Sequence, residues 1–128
     1  MRKQISSGSP WEDVLGYSRA VRVGNIIEVA GTTAMDGDNL IGKGDMYAQT
    51  VFILKKIEMA LLKAEATLND VVRTKIYVVD INKWEEVAKA HAEFFKEIKP
   101  VSTMVEVRRL IKAELLVEIE ATAILDVH

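Results

Sequence analysis

The chain has 128 residues, 49% of them hydrophobic, with 17 basic and 19 acidic side chains and a formal net charge of −2. That size and apolar content suit one domain over residues 1–128 with a real core, and the charge balance gives no long-range pull on nucleic-acid phosphates or anionic lipid. The absence of cysteine excludes disulfides, zinc–cysteine centres and a thiol nucleophile.

The polar start, Met1 to Pro10, lacks the apolar region of a signal peptide, and no stretch approaches ~20 apolar residues. The expectation is a cytoplasmic protein with no membrane contact. Residues 1–16, with Gly8, Pro10 and Gly16, show no sustained period and read as an irregular arm. Tyr17 to Gly31 reads as a β-hairpin, Ala20–Val23 and Ile26–Ala30 flanking a Gly24-Asn25 turn whose residue types tolerate positive φ. Thr32 to Gly44 is a glycine-containing loop, and Asp45 is placed to cap the next segment. Residues 46–66 form an amphipathic helix, with Met46, Phe52, Ile53, Ile57, Ala60, Leu61 and Ala64 on the dry side and Lys55, Lys56, Glu58 and Lys63 on the wet side.

Val71 to Val79 alternates as a strand, with Val72, Thr74, Ile76 and Val78 on one face and Arg73, Lys75 and Tyr77 on the other. Asn82 and Glu85 resemble a capping box for a second helix over 83–99, which Pro100 ends. Ser102–Leu110 is a strand, Ile111–Glu114 a turn, and Leu115–Leu125 the longest strand, with Val117, Ile119, Ala121 and Ala123 on one face and Glu118, Glu120 and Thr122 on the other. The order β-β-α-β-α-β-β predicts an α+β fold, a mixed sheet with both helices on one face. The other face mixes Arg73, Lys75, Tyr77, Glu118 and Glu120 with Leu116 and Ile124, which suits a subunit interface with polar pockets.

Most site chemistries fail on residue types. Two histidines, one of them the final residue His128, do not make a metal centre, and His91 has no accompanying acid–nucleophile pattern. Gly37, Gly42 and Gly44 have neither phosphate-loop nor dinucleotide spacing. No cofactor and no metal are therefore expected. Glu118 and Glu120, two apart on one strand, place both carboxylates on one face with Cβ atoms about 6–7 Å apart. Two acids held close raise one pKa, which suits a general acid–base or water-orienting group. The alternative is cross-strand pairing with Arg73, Lys75 or Arg108. Tyr17 is either a rim hydroxyl or an aromatic packed at a strand end.

These pieces resemble one family in order along the chain. Tyr17-Ser18-Arg19-Ala20-Val21-Arg22-Val23-Gly24-Asn25 followed by Val29-Ala30-Gly31 is similar to the opening of the Rid family, also called YjgF. Ala48-Gln49-Thr50 is similar to the start of that family's first helix, and Asp70 to Asp80 to its central strand. Pro100 to Val107 stands where the family has Pro-Ala-Arg-Ser-x-Val-x-Val, and Val117-Glu118-Ile119-Glu120-Ala121 matches its closing Val-Glu-Ile-Glu-Ala. The resemblance covers residues 15 to 125. It implies a chorismate-mutase-like fold and a homotrimer with clefts between subunits, in which reactive enamines and imines such as 2-aminoacrylate are hydrolysed to keto acids and ammonia. Carried onto this chain, it implies Glu118 as the group that places water. Tyr17, Ala30, Gly31, Ser102, Thr103 and Met104 would line the substrate; for Met104 the alternative is plain packing.

The chain departs from the family where it matters for a carboxylate substrate. The family's arginine is Ser102 here, Ala30 replaces a serine, and Ala88 replaces an asparagine. A guanidinium offers two charge-assisted hydrogen bonds where a serine offers one weak donor, a loss on the order of 1.5–3 kcal/mol. The chain is then either a hydrolase for a small imine or enamine, or a small-molecule or protein-binding module of the same fold. RNA cleavage, sometimes assigned to such proteins, sits poorly with the near-neutral charge.

Overall fold

The computed structural model describes residues 1–126, so His128 lies outside them. Period-2 alternation produces a six-stranded mixed sheet. Its strands are β1 (Arg2–Ile5), β2 (Ala20–Val23), β3 (Ile26–Thr32), β6 (Val71–Val78), β7 (Val101–Glu106) and β8 (Val117–Ile124). The spatial order is β1-β2-β3-β8-β6-β7, with only β6 and β7 parallel. A separate hairpin, β4 (Met35–Asp36) with β5 (Asn39–Leu40), stands beside it. The helices are α1 (Pro10–Leu15), α2 (Met46–Lys63) and α3 (Trp84–Phe95). No helix among the described residues is long and apolar enough to cross a membrane.

The core lies between one face of the sheet and helices α2 and α3. Ile53, Leu54, Ile57 and Leu61 of α2 are fully buried with Val78, Val117 and Ile119 of the sheet. Fully burying each such side chain contributes roughly 1.5–3 kcal/mol. Asp45 caps α2, accepting the Ala48 N–H at 2.9 Å. Gln49, also fully buried, replaces missing backbone partners. Its amide donates to Gly42 O and Glu114 O, and its oxygen accepts from Leu116 N. It thereby fastens the loop before α2 and the entry to β8 onto one helix.

Several sequence expectations are corrected. Residues 1–16 are not irregular: β1 pairs with β2, and Ser9, Pro10 and Gly16 start and stop α1, with Gly16 at φ 74. The alternation of β6 carries a bulge between Val71 and Arg73. Val71 is therefore buried while Val72 is 40% exposed, the reverse of the expected parity. The expected Asn82–Glu85 capping box does not form. Asp80 caps a short 3₁₀ turn over Ile81–Lys83 by accepting from Asn82 N, and α3 starts without a side-chain cap. That helix also ends at Phe95 rather than near Lys99, which takes φ 54 just before Pro100. The strands expected over 102–110 and 115–125 are the shorter β7 and β8. Lys56 is not on the wet side of α2 but half-buried.

Candidate functional site

The strand pair β3–β8 is irregular at one place. Val29 pairs with Ala121 and Thr32 with Ile119, so Ala30 and Gly31 together oppose Glu120. The extra residue bends β3 and re-aims the strand beyond it, as bulges beside functional sites commonly do. It brings the Gly31 backbone against the Glu118 side chain. A Cβ added to Gly31 would lie 2.0 Å from Glu118 Oε2, so the carboxylate occupies the space a side chain would need. Only glycine permits this approach.

Glu118 opens into a cavity of about 600 Å³ whose lining also includes Tyr17, Arg19, Ala30, Gly31 and Lys56. Trp11 of α1 and Met35 to Asp38 of the small hairpin complete part of its wall. Burial pushes the Glu118 carboxyl above its ordinary value; Arg19 pulls it down and Glu120 adds to the rise. Arg19 is 6% exposed. Its Nη1 donates to Gly31 O at 3.1 Å and Thr32 Oγ1 at 2.9 Å, and its Nη2 lies 3.4 Å from the Tyr17 hydroxyl. Glu12 accepts from the Ser7 N–H at 3.1 Å and the Ser7 hydroxyl at 2.6 Å. Burial raises that carboxyl, but the Ser7 bonds, with Ser6 and Arg19, outweigh it and hold the pKa down. Lys56 Nζ donates to Met35 O at 2.8 Å, and burial with Arg19 nearby lowers its pKa.

The structure thus gathers Tyr17, Ala30, Gly31 and Glu118 around one cavity and leaves Ser102, Thr103 and Met104 outside it. Those three lie on β7, separated from β8 by β6. Met104 packs against the core. Thr103 is exposed. Ser102 accepts a 2.8 Å hydrogen bond from the buried Thr74 hydroxyl, whose oxygen is also 2.9 Å from His91 Nε2. Glu120 does not join Glu118 in the lining; it accepts a 2.5 Å hydrogen bond from the Tyr77 hydroxyl. A tyrosine thus takes the place expected for a basic partner. Sequence reading missed Arg19, Lys56, Glu12 and Trp11. The one available signal was Arg19 standing two residues after Tyr17, on the same side of an extended segment.

A mixed α+β sheet with two helices on one face and a cleft at a bulged glycine defines a YjgF-type fold. A YjgF-family protein of Mycobacterium tuberculosis has the same architecture, with a TM-score of 0.89 and 53% identity over 98% of this chain and 100% of that one. A Rid-family protein from Yersinia pestis superposes with a TM-score of 0.86 at 32% identity, covering 98% of this chain and all of that chain. A family profile described as Endoribonuclease L-PSP matches residues 10–125. The chain belongs to this family, the group also called Rid or YjgF. Among its relatives, a RutC family protein of Pyrococcus abyssi is 42% identical over 108 residues, 84% of either chain. The 3-aminoacrylate deaminase RutC of Acinetobacter baylyi is 32% identical over 108 residues, 84% of this chain and 85% of that one.

Proposed function

We propose that this protein hydrolyses a small imine or enamine to a carbonyl compound and ammonia, with Glu118 as the group that directs water. The observation that carries the reading is the Glu118 carboxyl lodged against the Gly31 backbone inside a cavity, with its pKa raised by burial. A carboxyl shifted upward is better matched to proton transfer near neutral pH than an ordinary one. Glu118 as carboxylate takes a proton from water while the water oxygen bonds to the imine carbon. It then gives that proton to the nitrogen, which has taken up the C=N π pair. The carbinolamine so formed collapses as its hydroxyl proton moves to the nitrogen, the O–H pair forms C=O, the C–N bond breaks and ammonia leaves. An enamine is first protonated on carbon to reach the same imine. The deaminase named among the relatives supports this class of reaction.

The reading includes a homotrimer in which the uncovered sheet face meets two further copies. That face carries Val101, Val105, Ile26 and Ile124, each between 37% and 57% exposed, and apolar side chains exposed together on one sheet face favour association. In such an assembly Thr103, exposed on β7, would reach a cleft of a neighbouring copy rather than its own, while Ser102 and Met104 keep their contacts with Thr74 and the core. The competing reading is a binding module without turnover, favoured by one observation: Ser102, in place of the arginine, is already bonded to Thr74.

The test is ammonia release from freshly generated 2-aminoacrylate, 2-iminobutyrate and 3-aminoacrylate, comparing wild type, Glu118→Gln and Ser102→Arg. Release above the buffer rate by wild type, reduced about 10²-fold or more in Glu118→Gln, supports the hydrolase. Activity in Glu118→Gln equal to wild type refutes the role of Glu118. Inert wild type with saturable binding of the matching keto acids moves the binding module ahead.

A further inference from the structure

Arg19 and Lys56 are two cations lining one cavity without a carboxylate in contact with either. An ion pair does form elsewhere, Lys3–Glu65, at 3.7 Å on the surface. Arg19 is more than nine-tenths buried, and its hydrogen bonds go to a carbonyl and two hydroxyl oxygens, all neutral. Its Nε has no partner at all. Lys56 Nζ spends its bonds on the carbonyls of Met35, at 2.8 Å, and Thr33, at 3.4 Å. Both are neutral too.

A buried positive charge without a counter-ion is costly. The nearby acids do not remove that cost. Glu12 is bonded to Ser7 and acts on Arg19 and Lys56 only through space. Asp36, which also acts on Lys56 through space, is exposed on the rim hairpin together with Asp38. Glu118 and Arg19 act on each other only through space, without a hydrogen bond or ion pair between them. The cavity therefore contains fixed positive charge beside the reactive carboxyl, and an anion bound there would supply the missing partner.

We infer that Arg19 and Lys56 form an anion subsite of this chain, which holds the carboxylate of a small imino or keto acid beside Glu118. The carboxylate anchor is thus relocated, not lost, with Ser102. It comes from the approach to β2 and from α2, in the same subunit as Glu118, instead of from β7. The inference rests on the hydrolase reading for its choice of ligand, but anion binding can be measured without turnover.

The experiment titrates 2-oxobutyrate and its neutral analogue 2-oxobutyramide into wild type, Lys56→Gln and Arg19→Lys by calorimetry. Trp11, on the cavity wall, gives a parallel fluorescence signal. Wild type is expected to bind the acid at least tenfold tighter than the amide, the worth of a hydrogen bond to a charged group. Lys56→Gln should reduce that preference about tenfold. Arg19→Lys, which keeps the charge but not the planar fork, should weaken it too. Equal binding of acid and amide by wild type, or binding of neither, overturns the subsite. So does an undiminished acid preference in folded Lys56→Gln, at a half-buried position with less folding risk than the buried Arg19. An acid preference in a protein that releases no ammonia from any imine leaves the subsite standing and fails the hydrolase reading. Turnover that ignores the carboxylate does the reverse.

Discussion

Gly31→Ala puts one methyl group where the Glu118 carboxylate now sits. The added Cβ would stand 2.0 Å from Oε2, 3.0 Å from Cδ and 3.4 Å from Cγ. Ordinary contact begins near 3.4 Å, so the oxygen must retreat by about 1.4 Å, while Cγ can stay where it is. The retreat is within reach of a glutamate side chain, so the fold should bear it. Gly31 is not in the left-handed region, and replacing glycine by alanine at an ordinary backbone position stabilises a protein by about 0.4–1 kcal/mol through the unfolded state. Misplacing a reacting group by about 1 Å costs on the order of 10²-fold in rate. The expected variant is therefore folded, with a melting temperature near that of wild type, and has lost about 10²-fold or more of kcat for ammonia release. The measurements are a thermal melt and the coupled ammonia assay on the same preparation. Wild-type kcat in a folded Gly31→Ala protein would refute the placement of Glu118 at the reacting centre. A collapse of the melting temperature would refute the claim that only the side chain gives way.

Three further outcomes test the electrostatics and the buried polar contacts. Glu118 has a folded pKa above its ordinary value of 4.5. Its protonated form thus favours folding, a contribution that is complete below 4.5 and lost as pH rises through the raised value. Glu118→Gln should melt with wild type at acid pH and above it at neutral pH; a constant difference across that range would contradict the shift. The Tyr77 hydroxyl, bonded to Glu120, is pushed up to about 12. Glu120→Gln should bring one phenolate transition in the ultraviolet titration down toward about 10, and an unmoved titration would deny the bond. Thr74→Val removes the hydroxyl that joins His91 to Ser102. The variant should lose about 1–3 kcal/mol in denaturant unfolding, with no loss indicating that the bonds do not form.

What was legible in the sequence was what repeats locally. The periods of 71–78 and 117–124 gave the sheet and its dry face, the spacing of Ile53, Ile57 and Leu61 gave α2, and Gly24-Asn25 gave the turn that joins β2 to β3. Bulges were not legible, because nothing in Val71-Val72-Arg73 or Val29-Ala30-Gly31 announces an extra residue. The partner strand decides it. At Val71 the cost of missing it was the swapped parity of Val71 and Val72, while Thr74, Ile76 and Val78 beyond the bulge keep the expected dry face. At Ala30-Gly31 it was the reason Gly31 meets Glu118 at all. The family resemblance supplied that pair without explaining it; the register does.

Arg19 and Lys56 show a second limit. On periodicity alone, a lysine next to Lys55 belongs on the wet side of a helix, and nothing marks Arg19 for burial. Contacts from outside their own elements take up both cations: Lys56 Nζ bonds the carbonyls of Thr33 and Met35, and Arg19 meets the arm that reads as irregular. Strand β1 takes the Arg19 N–H on Ile5 O at 2.8 Å. Helix α1 brings Trp11 up to the cavity wall and sets Glu12 within electrostatic reach of Arg19. These contacts join residues far apart in sequence, and together they remove two cations from water. A pattern of short range cannot contain that information. The departure at Ser102 is the complementary case. It is plain in the sequence and reads as the loss of an anion-binding group, yet charge of the same sign enters the cavity from Arg19 and Lys56. Whether a site binds an anion depends on the total field at the ligand, and an alignment scores positions one at a time. On the proposed subsite, the position aligned with the arginine is a poor guide to substrate charge, and the burial of Arg19 is the better one.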